Sequence, residues 1–163
     1  MATRNREPAQ AGDTLDEIDR KILSRLMQDG RITWADLASE IGMSPPSTIE
    51  RVRKLQESGI IQGYVARLDA LAVGQRLLAF VSVSLTTSTD HAKFRKAVGA
   101  LAEVQECHVI AGESDYLLKV RCRDAQHLEL LLRTRIRHLP GVERTSATIA
   151  LTTTKETTAL GLD

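Results

Sequence analysis

The spacing of apolar residues changes along this 163-residue chain, and that change limits the folds open to it. Before residue 60, apolar residues recur every three or four positions, as on one face of an α-helix. Beyond residue 76 they alternate, as in half-buried β-strands. The pattern predicts an α+β protein with a helical domain over residues 14–65, a linker over 66–75 and a second domain over 76–153.

The first helix of the helical domain has signals at both ends. Thr14 and Glu17 have the spacing of a capping box, in which each side chain bonds the backbone of the other residue. Leu and Ile residues then recur at helical spacing until Gly30, a residue type typical of helix ends. A second, shorter helix ends at Gly42.

A third helix begins after Ser44, because a serine followed by prolines is a favourable helix start. It runs to about Ser58, and its apolar residues form only one narrow stripe. Two short helices joined by a tight turn are typical of a helix-turn-helix. Residues 60–65 predict two short strands around a Gln-Gly turn, which would make the domain a winged helix-turn-helix.

The polar face of the third helix offers groups that bind duplex DNA. Ser47, Arg51 and Lys54 carry hydroxyl, guanidinium and ammonium donors for phosphates and guanine edges. Glu50 could accept from a cytosine amino group or pair with Lys54 four residues on. A plain three-helix bundle with a solvated third helix is the alternative. The predicted DNA contacts are Arg31, Ser44, Pro46, Ser47, Thr48, Glu50, Arg51, Arg53 and Lys54.

Charge and aromatic content restrict how the chain could bind nucleic acid. There are 22 Lys and Arg against 21 Asp and Glu, a net charge of +1. This balance cannot hold a polyanion by overall attraction, so DNA binding needs a local basic strip, ideally doubled by dimerisation. One Trp, two Tyr and two Phe are too few for a single-strand stacking platform.

The second domain alternates strands and helices in the order βαββαβ, a ferredoxin-like fold with both helices on one face of an antiparallel sheet. Its predicted strands span residues 77–85, 104–110, 116–122 and 142–151, and its helices span 90–101 and 124–138. Leu78, Phe80 and Leu117 would lie on the uncovered face, which predicts an oligomer.

Nothing in the pattern predicts an enzyme, a metal site or a cofactor. The histidines are dispersed, and adjacent Cys107 and His108 point to opposite faces of a strand. In the hairpin around Gly112, Cys107 is predicted to pair near Leu118, away from Cys122. No apolar run is long enough to cross a membrane, and residues 1–10 lack the apolar core of a secretion signal, so we expect a cytoplasmic protein.

Several runs of residues resemble the Lrp/AsnC family of feast/famine regulators. In the first half they are Leu15-Asp-Glu-Ile-Asp-Arg-Lys-Ile-Leu23, Asp29-Gly-Arg31, Gly42-Met-Ser-Pro45, Glu50-Arg-Val-Arg-Lys-Leu55 and Ser58-Gly-Ile-Ile-Gln-Gly-Tyr64. In the second half they are Val104-Gln-Glu-Cys-His-Val-Ile-Ala-Gly112, Asp115-Tyr-Leu-Leu-Lys119 and Leu139-Pro-Gly-Val142. The resemblance spans roughly residues 14–153.

The resemblance implies a bacterial or archaeal transcriptional regulator of amino-acid metabolism, associated with the nucleoid. Such proteins dimerise through their C-terminal sheets, often assemble into tetramers or octamers, and bind pseudo-palindromic double-stranded DNA. They also bind a small effector, usually an amino acid, between dimers near a Gly-x-x-Asp-Tyr hairpin. The matching effector residues here are Val109, Gly112, Asp115, Tyr116, Thr148, Ile149 and Ala150.

A different function stays open at this point. The chain could be an amino-acid sensor whose helical domain docks on a protein instead of DNA. Salt dependence separates the two, because phosphate contacts weaken steeply as salt rises.

Overall fold

The computed structural model describes residues 15–162, and these divide into two compact units. The helical unit comprises residues 15–67 and 156–162, and the sheet unit comprises residues 68–155. Residues 156–162 lie beyond both predicted domains, so the sequence pattern does not indicate their place in the helical unit. None of the helices within residues 15–162 is long and apolar enough to cross a membrane.

Three helices form the helical unit: α1 (Glu17–Gln28), α2 (Trp34–Ile41) and α3 (Pro45–Glu57). Each follows a residue whose side chain accepts a hydrogen bond from a first-turn backbone N–H, and these residues are Asp16, Thr33 and Ser44. The apolar faces of the helices meet in one core containing Ile22, Leu23, Leu37, Val52 and Leu55. The three predicted helices are confirmed.

The predicted start of α1 is wrong. Thr14 lies outside the described residues, and the cap is Asp16, whose Oδ1 accepts from the backbone N–H of Asp19 at 2.7 Å. A carboxylate at this place also interacts favourably with the positive end of the helix dipole. Glu17 does not reach back to a cap, because its carboxylate pairs with Lys21 one turn later at 2.7 Å.

The predicted wing is also wrong, because no strand forms within residues 60–65. Gly59 and Ile61 donate backbone hydrogen bonds to Gln56 and Leu55 and so close the end of α3. Ile61 packs against the helical core. Two or three residues on each side of a turn supply too few ladder hydrogen bonds to hold a hairpin alone.

The sheet unit has the predicted βαββαβ order. Its strands are β1 (Leu77–Leu85), β2 (Val104–Val109), β3 (Tyr116–Cys122) and β4 (Val142–Ala150). Helix α4 (His91–Val98) follows β1, and α5 (Ala125–Thr134) with a short 3-10 turn (Ile136–His138) follows β3. The strands pair antiparallel in the order β2-β3-β1-β4, so β2 and β4 are the two edges. The fold is the ferredoxin-like α+β fold.

The register of the strands separates the two faces of the sheet. Alternate residues of β1, from Ala79 to Leu85, are buried with Phe94 and Val98 of α4 and Leu128 and Leu131 of α5. On the opposite face, the side chain of Phe80 is 38% exposed, and Thr148, its partner in β4, is exposed beside it. Leu78, also on that face, is only 6% exposed, so it contributes less open apolar surface than the sequence predicts. Cys107 pairs with Leu118, as predicted.

Gly141, just before β4, is the position in the sheet unit least able to accept a side chain. Its φ is +75°, and a β-carbon built there would lie 1.9 Å from Oγ1 of Thr89. We therefore expect Gly141→Ala to lower the free energy of unfolding of the sheet unit by about 3 kcal/mol, since left-handed strain and a clash add together. Urea unfolding followed by circular dichroism measures it.

Gly74→Ala is the matched control. Gly74 also lies in the sheet unit with φ +81°, but a β-carbon there meets nothing within 4 Å. Its expected cost is the left-handed strain alone, about 1 kcal/mol. Equal losses in the two variants would show that contact with Thr89 does not matter.

Candidate nucleic-acid interface and effector site

The core of the helical unit decides which side of α3 faces outward. Thr48, Val52 and Leu55 are 0%, 2% and 5% exposed and form the buried stripe of the helix. Ser44 caps α3, and two prolines fill its first two positions, where the backbone N–H groups have no helical partner. The outer face of α3 consists of Pro46, Ser47, Ile49, Glu50, Arg53 and Lys54, which are all exposed.

Thr48 is not part of this face, and its prediction as a DNA contact is wrong. Its side chain is completely buried. Its hydroxyl donates to the backbone carbonyl of Ser44 at 3.1 Å, which further ties the first turn of α3. The prediction rests only on the polar side chain of Thr48. The burial of Thr48 follows from its position on the apolar stripe of the helix.

The side chain of Arg51 forms ion pairs with residues at the start of the first helix. Its Nη1 lies 2.6 Å from Oδ2 of Asp16 and 2.9 Å from Oδ1 of Asp19, so one guanidinium ties α3 to the start of α1. These two carboxylates raise the pKa of Arg51. The backbone N–H of Asp19, and then Arg51, lower the pKa of Asp16. Arg51 therefore has a structural role that the sequence does not show.

Arg53 lies on the outer face with its charge compensated along its own helix. Its Nη2 and Nε lie 2.6 Å and 2.9 Å from the carboxylate of Glu50, and its Nη1 also pairs with Glu57. This hydrogen bonding lowers the pKa of Glu50. Of the two uses considered for Glu50, the structure shows an ion pair, but with Arg53 in place of Lys54.

Two predicted DNA contacts make no ion pair with any residue among 15–162. These are Arg31, which precedes α2, and Lys54, near the end of α3; both side chains are exposed. At the start of α3, the hydroxyls of Ser44 and Ser47 lie 2.9 Å apart and bond each other. A basic group and hydroxyls on one exposed helix can approach phosphates without first breaking an ion pair.

The hairpin between β2 and β3 carries the first half of the predicted effector site. Asp115 has internal partners, because its Oδ2 accepts from the backbone N–H of Leu85 at 2.7 Å. Tyr116 is 1% exposed, and its hydroxyl lies 2.9 Å from Nδ1 of His91. Only Val109 and Gly112 of this half present open surface.

The second half lies on the opposite edge of the sheet. Thr148 and Ile149, in β4, are exposed, whereas Ala150 is half-buried. Since β2 and β4 are separated by β3 and β1, three strand spacings of about 4.8 Å place these edges about 14 Å apart. One small amino acid cannot contact both edges of the same sheet.

The sequence pattern misses two features near these sites. His91 and Arg95 of α4 place ring and guanidinium nitrogens 2.9 Å and 3.5 Å from the Tyr116 hydroxyl. Residues 156–162 join the helical unit.

Over residues 15–162, no three His, Cys, Asp or Glu side chains lie close enough to hold a metal ion.

Comparison with protein families gives two matches that together span most of the chain. The AsnC-type helix-turn-helix domain matches residues 15–56, and the Lrp/AsnC ligand binding domain matches residues 78–160. The leucine-responsive regulatory proteins of Escherichia coli and Klebsiella pneumoniae are each 40% identical to this chain over 151 residues. That alignment covers 91% of this chain and 92% of each relative.

Solved structures agree with the sequence matches. A transcriptional regulator from Neisseria meningitidis in complex with L-Met superposes with a TM-score of 0.87 at 32% identity, over 92% of this chain and 98% of that one. A feast or famine regulatory protein from M. tuberculosis complexed with L-methionine gives 0.80 at 39% identity, over 88% and 96%.

Because the ion pairs of Arg51 join α1 and α3, replacing this residue should change the stability of the helical unit even in the absence of DNA. We expect Arg51→Ala to lower the Tm of the helical unit by about 4 °C, because two ion pairs between α1 and α3 are lost. Arg53→Ala, which removes pairs within α3 only, is the control and should cost less. Thermal unfolding followed by circular dichroism compares the two variants.

The same interaction has a defined pH dependence. A carboxyl whose pKa is lowered in the folded state stabilises the fold above its ordinary pKa, and this stabilisation disappears as pH falls through the folded-state pKa. The Tm difference between Arg51→Ala and the unchanged protein should therefore shrink as pH falls below 3.8, the ordinary pKa of Asp16. A difference that persists in acid would mean that Asp16 does not carry it.

Proposed function

The chain belongs to the Lrp/AsnC family of DNA-binding transcriptional regulators, and we propose that it binds duplex DNA through the outer face of α3 under the control of a small amino acid bound by the sheet unit. Like its relatives, which are regulatory proteins, the chain is a regulator and not an enzyme. The observation that carries the DNA proposal is the exposure of Ser47, in the first turn of α3, and of Lys54, in its last turn. DNA binding would place the protein at the nucleoid.

Charge requires the DNA contact to be local and repeated. With a net charge of +1, the chain has little overall attraction for phosphate. A homodimer would present two copies of the outer face of α3 to a pseudo-palindromic site, with half-sites about 34–36 Å apart or a multiple of that distance. Phe80, exposed on the uncovered face of the sheet, gives such a dimer apolar surface to bury.

The effector proposal follows from the separation of the two edges of the sheet. Because Val109 and Thr148 lie on opposite edges of one sheet, a second copy must supply one half of the site. We place the effector between copies of the chain, within dimers or in the tetramers and octamers they form. Two related regulators have been solved with L-methionine, so an amino acid is the ligand class we propose here.

The internal bonds of Asp115 and Tyr116 change the roles proposed for them. Asp115 bonds the end of β1, and Tyr116 anchors the start of α4 through His91. We propose that these two residues hold the hairpin in shape, while Val109 and Gly112 meet the ligand. Exposed glycine lets backbone N–H groups approach a ligand carboxylate closely.

The DNA proposal predicts that Lys54→Ala weakens binding to all duplex sequences alike. Each lost phosphate contact should reduce the slope of log Kd against log salt by about one per protomer. Fluorescence anisotropy with a duplex from the region upstream of its own gene measures both quantities.

Lys21→Ala is the matched control for that measurement. Lys21 lies on α1 of the same unit, and its charge is paired with Glu17. It should leave the slope unchanged. If Lys54→Ala and Lys21→Ala behave alike, the outer face of α3 does not contact phosphate. If the Kd does not change with salt concentration, the helical unit docks on a protein partner instead of DNA.

The effector proposal predicts that Thr148→Ala weakens amino-acid binding by about fivefold, the loss of roughly one hydrogen bond. Ligand binding raises Tm by mass action, so a thermal-shift titration with L-methionine and the other common amino acids measures it. Ser146→Ala removes a hydroxyl from the same exposed face of β4 and should change nothing. Equal effects in both variants would place the ligand elsewhere.

A further inference from the structure

Residues 156–162, here called the tail segment, follow the sheet unit in sequence but belong to the helical unit. Leu162 is half-buried and packs against the core formed by α1, α2 and α3. Its backbone carbonyl accepts a hydrogen bond from Nη1 of Arg20 at 3.1 Å. At the other end of the segment, Nη2 of Arg67 donates to the carbonyl of Glu156 at 3.3 Å. Both ends of the tail segment are therefore attached.

Within residues 15–162 the chain consequently crosses between the two units twice. It passes from the helical unit to the sheet unit at residues 67–68 and returns at residues 155–156. The return follows β4 directly, after only the short stretch 151–155. Five residues span about 17 Å at full extension, so the anchored tail segment stays close in sequence to the end of β4.

We propose that the tail segment is a regulatory clamp, which docks on the helical unit through Leu162 and couples the state of β4 to the DNA-binding helices. This inference rests on the proposed function, because β4 carries the proposed effector residues Thr148 and Ile149. A single linker keeps two units near each other, whereas a second anchored connection also limits how they move. A ligand that changes β4 then has a covalent route to the helices, which is the differential effect that coupling between sites requires.

Two leucines of the tail segment supply a matched pair of variants. Leu162 packs on the helical core, whereas Leu160 is 73% exposed. Leu162→Asp and Leu160→Asp change net charge equally, but only the first places a carboxylate against apolar side chains. Leu162→Ala is a milder variant for the case in which Leu162→Asp unfolds the helical unit.

The first measurement asks whether the tail segment is docked. Thermal unfolding followed by circular dichroism compares two variants of the full chain. Leu162→Ala should lower the Tm of the helical unit by about 4 °C, and Leu160→Ala should leave it unchanged. Equal Tm values in the two variants would overturn the clamp.

The second measurement asks whether docking carries regulation. The Kd for duplex DNA is measured with and without saturating L-methionine, or whichever amino acid raises the Tm most. We expect the unchanged protein and Leu160→Asp to respond by at least about fivefold, and the Leu162 variants to respond by less than about twofold.

The outcomes separate the clamp from the proposed function. If the unchanged protein responds and the Leu162 variants respond equally, the clamp is overturned and the proposed function stands. If no amino acid alters the Kd of the unchanged protein, effector control of DNA binding fails, and the clamp fails with it.

Discussion

The burial of one narrow stripe of α3 is the constraint on which the functional reading of this chain depends. Thr48, Val52 and Leu55 pack inward, so the rest of the helix must face outward. Arg51 fixes the same orientation electrostatically, since its ion pairs with Asp16 and Asp19 hold α3 against the start of α1. A helix held on one side by packing and charge presents its opposite side as a fixed surface, which DNA recognition requires.

In the sheet unit, the order of the strands limits where a small effector can bind. The order β2-β3-β1-β4 puts the hairpin and Thr148 on opposite edges, so a small ligand that uses both needs a second copy. In this arrangement assembly and ligand binding are linked, because a ligand held between copies favours the assembled state. The uncovered sheet face, where Phe80 is exposed, is the surface we propose for that assembly.

Much of this structure follows from local rules that the sequence displays. Helical and alternating apolar periods predict the three helices, the βαββαβ order and the pairing of Cys107 with Leu118, because each depends on neighbouring residues or on strand register. Interactions between distant residues could not be predicted in this way. Arg51 meets Asp16 across 35 positions, and Leu162 returns to a core formed before residue 60. The predicted wing does not form for a related reason, since half-buried Ile61 packs against the helical core instead of pairing locally.

Chemical footprinting of lysines shows whether the outer face of α3 lies against duplex DNA. The full chain is acetylated with and without a saturating duplex from its own upstream region, and the modification of each lysine is measured by mass spectrometry. We expect DNA to protect Lys54, while Lys93 of α4 in the sheet unit reacts unchanged. Equal reactivity of Lys54 in the free and DNA-bound protein would contradict it.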